Sequence, residues 1–229
     1  MKNIIIVVCS ARHSQFCNLF CKSVINAGFF NIENPSYNFV FVLNNSQNVD
    51  DFKSKANHSE EVYDSCLEFL QLAKEIGKIE CNNKYGYELG SLKFILEKYT
   101  NCNQIFLQQC TYEILDLEMF NILFSENNKD KIMAIKNHFQ DYALKIPVKY
   151  LKSINIPTVN NKIESVRNEG DFIDILKQKY QNVMQSQVFG QIMVSRKVRF
   201  GRDNRIEETK YFRKWKGTWS TSMIKDAWS

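Results

Sequence analysis

The stretch "QIFLQQCTYEILD", Gln104 to Asp116, joins an apolar run, Ile105-Phe106-Leu107, to two amides, a thiol, a hydroxyl and then two acids, Glu113 and Asp116. In open α/β sheets ligands bind outside the carboxyl ends of the strands, so such a break from apolar to polar is where chemistry is sought. Two other runs end in the same way. Cys9-Ser10-Ala11 follows "IIIVV", and Asn44-Asn45-Ser46 follows "FVFVL". If the strands are parallel neighbours, Cys9, Ser10, Asn44, Gln108 and Gln109 line one edge, where amides, hydroxyls and backbone N–H groups suit a nucleotide. Taken singly, each reads better as an ordinary loop residue.

Other chemistries find no matching pattern. Neither G-x-G-x-x-G nor a P-loop follows the first strand, and no G-x-S-x-G elbow occurs. The three histidines (13, 58, 138) show no H-E-x-x-H arrangement. Seven cysteines, with no C-x-x-C spacing, suggest neither a disulfide framework nor a zinc ribbon; buried thiols in a reducing compartment are expected. The apolar run at the N-terminus is too short for a membrane span and passes straight into Arg12 and His13, so a buried strand and a cytoplasmic protein are expected.

The elements that position these ends follow from periodicity. Ile4 to Val8 and Phe39 to Leu43 are continuous apolar runs of the kind buried on both faces of a sheet, and Gln104 to Leu107 and Lys131 to Ile135 are further strands. A shorter strand is expected at Ile79 to Cys81. Phe16, Phe20 and Val24 recur at helical spacing, as do Val62, Cys66, Phe69, Ala73 and Ile76. A third helix starts near Tyr87-Glu88 and carries Gly90, and a short one is expected within Leu115 to Phe124. Asp141 to Ser153 and Asp171 to Val183 read as two more helices. Alternating strands and helices predict an α/β fold with a mixed, mostly parallel sheet.

The end of the chain differs in character. From Arg196 to Lys216, nine Lys and Arg stand against Asp203, Glu207 and Glu208, an excess of six positive charges where the whole chain has five. Phe200, Tyr211, Phe212, Trp215 and Trp219 are interleaved with them. A basic, aromatic segment could contact nucleic acid, by pairing with phosphates and stacking on bases, or an anionic membrane surface. Nucleic acid is disfavoured by the near-neutral remainder of the chain.

The order of "IIIVVCSAR", "FVFVLNNS", "NKYGYELGSLKFILEKY", "IFLQQCTYEI", "IPTVNNKIESVRNEGDF" and "RFGRDNRIEETKYFRKWKGTW" resembles bacterial and viral glycosyltransferases of the GT-A type over most of the chain. The resemblance implies a Rossmann-related domain over 1–195, with 196–229 as an extension that closes the donor site. It implies a nucleotide-sugar donor, with the base near Cys9, Ser10 and Asn44, sugar contacts near Tyr87 and Glu88, and a glycan or lipid-linked acceptor. Such enzymes hold Mn²⁺ or Mg²⁺ on an acidic pair at the end of the central strand, because the hard cation needs oxygen ligands to bridge the diphosphate. Gln109 stands where that acid belongs. Glu113 or Asp116 could supply a carboxylate instead, or Arg199, Arg202, Lys214 and Lys216 could neutralise the diphosphate without metal. A transferase-like fold without turnover is the third outcome. For the general base that deprotonates the acceptor hydroxyl, the candidates are Glu169, Glu88 and Asp171. Glu169 and Asp171 also read as helix-start acids.

Overall fold

A computed structural model describes residues 3–135, 143–157, 162–200 and 202–217. The β-branched run becomes β1 (Asn3–Cys9), buried along its whole length. It leads into α1 (Ser14–Asn26), whose Phe16, Phe20 and Val24 face the core beside Cys17 and Cys21. Gly28, at φ +90°, turns the chain out of this unit, a left-handed conformation that glycine adopts without strain. β2 (Tyr37–Asn44) follows, then α2 (Val49–Ala56) and α3 (Glu60–Ile76). The Asn48 and Ser59 side chains cap these two helices, accepting from Asp51 N at 2.8 Å and Val62 N at 3.3 Å, and acids fill both first turns. β3 (Gly77–Asn82) and α4 (Tyr87–Lys98) complete the second unit.

Next come β4 (Gln104–Gln109), β5 (Tyr112–Ile114) and α5 (Glu118–Leu123). β6 (Ile132–Ala134), β7 (Leu144–Pro147), α6 (Val148–Leu151), α7 (Lys162–Tyr180) and β8 (Met184–Gln185) lead to the tail strands β9 (Met193–Phe200), β10 (Arg202–Glu208) and β11 (Phe212–Lys216). Seven strands form one sheet in the order β3-β2-β1-β4-β7-β6-β8. Its pairings are parallel except for β4 with β7 and β7 with β6. One face packs on α1, α3 and α5 through Phe20, Phe39, Phe41, Phe69, Phe106 and Phe120; the other packs on α4 and α7 through Ile6, Val42, Leu92, Leu107 and Phe172. This is the mixed, mostly parallel, helix-flanked α/β architecture that the sequence predicts. No described helix is long and apolar enough to cross a membrane.

Two expectations need correction. The helix expected over 141–153 is instead strand β7 followed by the single turn α6, with 136–142 outside the described residues. The apolar spacing of Leu144, Ile146, Val148 and Leu151 serves either form, and the free edge of β4 decides for the strand. The helix expected from Asp171 begins at Lys162, so Glu169, Gly170 and Asp171 lie inside it rather than at its start. The basic tail is a sheet, β5-β11-β10-β9, anchored by Phe212 and Trp215 in the core on the α1 side. Burying each of these rings contributes roughly 2–3 kcal/mol. The boundary expected at 195/196 falls inside β9.

Candidate functional site

β1, β2, β3 and β4 run parallel, so their carboxyl ends share one edge. Side chains alternate along a strand. In β4 this sends Ile105 and Leu107 to the α4 face and Phe106 to the α1 face, which places Gln109 with the former and Gln108 with the latter. Gln109 is half-buried, and its amide is held from both ends. Its Nε2 donates to Glu88 Oε1 at 2.8 Å, and its Oε1 accepts from Lys214 Nζ at 2.6 Å. Lys214 also donates to the Thr111 hydroxyl, and its Nζ lies 4.3 Å from the centroid of the Tyr112 ring. Carboxylate, amide and ammonium thus form a continuous line across the end of the central strand, and these two neighbours fix which way the amide points.

Each member is positioned by its own element. Lys214 comes from β11, where it stands opposite Tyr112 of β5, so the tail sheet delivers an ammonium to the end of β4. It is only 3% exposed. Glu88 sits in the first turn of α4, whose start is tightly built. Asn82, fully buried, accepts from Lys84 N and Tyr85 N and donates to Tyr85 O at 2.6 Å. Tyr87 has φ +60°, a left-handed conformation costly for a residue with a side chain. A Cβ on Gly90 would come within 2.7 Å of the Tyr85 carbonyl carbon, which explains a glycine inside this helix. Asn44 ends β2 beside Asn82, and its Oδ1 is a buried acceptor with no hydrogen-bond partner among the described residues. Alternation places Ser10, half-buried, on the same face of the sheet as Val8 and Gln109.

The structure therefore brings together Ser10, Asn44, Tyr87, Glu88, Gln109 and Lys214. Other expected site residues lie elsewhere. Cys9 is fully buried on the α1 face, where its thiol donates to Val7 O at 3.4 Å and burial pushes its pKa up to about 11. Gln108 is fully buried on that same face, turned away from the line of polar groups. Glu113 points to the other side of the tail sheet from Lys214; it accepts from Arg213 at 3.2 Å and from Trp215 Nε1 at 3.4 Å. Burial raises its pKa despite the neighbouring Arg213 cation. Asp116 accepts from Glu118 N at 2.8 Å and tightens the turn before α5.

Lys216 lies two residues beyond Lys214 along β11, about 7 Å further. Arg199 and Arg202 belong to the far end of the β9–β10 hairpin; Arg202 is five residues, about 17 Å, from Glu207, which pairs with Lys214. They do not stand beside Gln109. Glu169 is half-buried on α7. The end of that helix is tied to α6 near the amino edge of the sheet by the Tyr180–Ser153 hydrogen bond, so Glu169 lies about 16 Å up the helix, toward the carboxyl edge. Sequence reasoning missed Asn82, for which the run "CNNKYGY" after an apolar strand was the available signal.

A divalent cation does not fit this donor set. An ammonium already occupies the Gln109 oxygen, Glu113 and Asp116 are held by protein groups, and no cluster of three or more His, Cys, Asp and Glu among the described residues could hold a metal ion. The tail aromatics are also committed. Phe212 and Trp215 are buried, and Tyr211 packs on Phe189 with ring centroids 4.7 Å apart, so none of these three forms an open stacking platform. Cavities of about 380 and 430 Å³ ring Tyr99 and Thr100 at the opposite, amino edge, away from this line of groups.

No protein-family model matches the chain, and no curated protein matches it. Among solved structures it is similar to an active-site mutant of LgtC, with a TM-score of 0.43, and to the galactosyltransferase LgtC in complex with donor and acceptor sugar analogs, with a TM-score of 0.42. Both are 11% identical, and each match covers 80% of this chain and 66% of the other, just under two thirds. A likeness that remote leaves the function to be argued from the residues.

Proposed function

We propose that this chain is a glycosyltransferase that moves a sugar from a nucleoside-diphosphate donor to a hydroxyl of a glycan or similar acceptor, with the Lys214 ammonium standing where related enzymes hold a divalent metal. The observation that carries the reading is the placement of Lys214 between Gln109 and Thr111 at the end of β4, within one amide of Glu88. Cleaving a sugar–phosphate bond leaves negative charge on the diphosphate, and a preorganised cation in a site poor in water stabilises it. Lysine supplies that charge as a compact point donor, and the Gln109 and Thr111 oxygens accept from it.

The other groups take roles by type and position. Asn44 Oδ1 and Ser10 face the nucleoside, the former as an acceptor for a base N–H or a ribose hydroxyl. Tyr87, held in its left-handed conformation, borders the sugar. Glu88 is the carboxylate bonded to Gln109 and serves as the base toward the acceptor hydroxyl; Glu169, higher on α7, is the second candidate.

Calorimetric titration with UDP-, GDP-, CMP- and dTDP-sugars in EDTA tests this directly. One nucleotide class is expected to bind. Glu88→Gln is expected to cut transfer by about 100-fold or more while leaving donor affinity within a few-fold. Failure of every donor to bind would overturn the reading, and binding without transfer to any acceptor would reduce it to a donor-binding fold without turnover.

A further inference from the structure

Glu88 can act on an acceptor hydroxyl only while its carboxylate holds one direction, and the turn before it sets that direction. The turn begins at Asn82, the last residue of β3, which stands opposite Asn44 at the end of β2. Its side chain is fully buried and makes three bonds. Oδ1 accepts from Lys84 N at 3.2 Å and from Tyr85 N at 3.1 Å, and Nδ2 donates to Tyr85 O at 2.6 Å. An amide matches this demand, an oxygen with two lone pairs beside a nitrogen with N–H donors, whereas an aspartate could only accept. The main-chain carbonyl of Asn82 also accepts from Ser46 N at 3.2 Å, which ties the loop after β2 to the same residue. The clamped Tyr85 backbone packs against Gly90 and leaves no room there for a Cβ. Next comes Tyr87 in its left-handed conformation, its carbonyl accepting from the Ser91 hydroxyl at 2.8 Å. Such a conformation persists only where its surroundings over-determine it. Glu88 follows at once, and its Oε1 accepts from Gln109 at 2.8 Å.

We propose that Asn82 is a positioning residue: its buried amide holds the turn 83–87 so that Glu88 meets Gln109 and faces the acceptor hydroxyl. The inference rests on the transferase reading for what Glu88 does, and on the hydrogen bonds alone for how Glu88 is held. Two observations favour this over a purely structural part for Asn82. All of its side-chain bonds among the described residues go to the turn that leads to Glu88. The costly backbone conformation lies between that clamp and Glu88, where a released turn would carry the carboxylate away from Gln109.

The test is a double-mutant cycle in the full chain, using the nucleotide-sugar that the calorimetric panel selects. Asn82→Ala is expected to cut kcat, read as release of free nucleotide, by about 100-fold while donor affinity stays within about threefold, because a misplaced base costs rate rather than binding. Adding it to Glu88→Gln should cost at most about threefold more, since the second change already removes the group that the first misaims. The NMR signal of the Gln109 side-chain amide gives a readout without turnover, and Asn82→Ala should move it as Glu88→Ala does. If Asn82→Ala melts below the assay temperature, Asn82→Asp, which keeps both acceptor bonds and loses only the donation to Tyr85, takes its place. Losses that multiply in the double variant would overturn the proposal, as would an equal fall in donor affinity or a Gln109 signal that stays where it is. If the parent chain transfers no sugar, the transferase reading falls and the Gln109 signal alone decides on Asn82.

Discussion

Lys214 is nearly buried, with an amide and a hydroxyl among its partners at the end of β4. An ammonium gives up hydration on burial, and replacing a buried charge by an apolar side chain of similar volume is often neutral or stabilising. Replacing Lys214 by Met is expected to weaken donor binding by about tenfold or more while the thermal midpoint stays level or rises, measured by calorimetry and a melting curve on the same sample. A residue kept for stability would show the reverse, a lowered midpoint with donor affinity intact. Gln109 was legible in the sequence as the polar end of an apolar run, and so was the missing acid. The identity of its cationic partner was not, because 105 residues separate Gln109 from Lys214 and only the pairing of β11 with β5 joins them.

At the scale of elements, the start of α4 is the joint that aims Glu88. Gly90→Ala should gain about 1 kcal/mol of helix propensity and lose more to the collision with Tyr85. The expected net loss is about 1–2 kcal/mol in urea unfolding, together with reduced donor affinity; a neutral or stabilised variant would show that the helix start can shift freely. Local periodicity reveals such elements where burial is one-sided or continuous, as in β1, β2, α1 and α3. It fails where tertiary pairing chooses between two forms, as in Leu144–Pro147, where the edge of β4 takes the segment as a strand. It also fails for the tail, whose alternation of cations with aromatics reads as composition until β5 supplies a partner strand.

Across the whole molecule, charge and burial meet again at Lys145, fully buried in β7 with its ammonium on the carbonyls of Asn128 and, at 3.0 Å, Lys131. Burial lowers its pKa from 10.5 to about 8. The unfolded chain therefore holds this proton more tightly, and the resulting cost to stability is full below pH 8 and fades as pH rises from 8 toward 10.5. Lys145→Met lacks this cost, so its stability relative to the parent should fall by about 2–3 kcal/mol across that window. A difference that stays flat with pH would contradict it. The sheet order and the two cores follow from apolar runs that any reader of the sequence can mark; the site depends on which strands the tail joins. The central claim is that Lys214 does the work of a metal. It is tested most directly by the ratio of donor affinity in Mn²⁺ to donor affinity in EDTA for the unaltered chain: the predicted ratio is close to one, and a gain of about tenfold or more with Mn²⁺ would contradict the account.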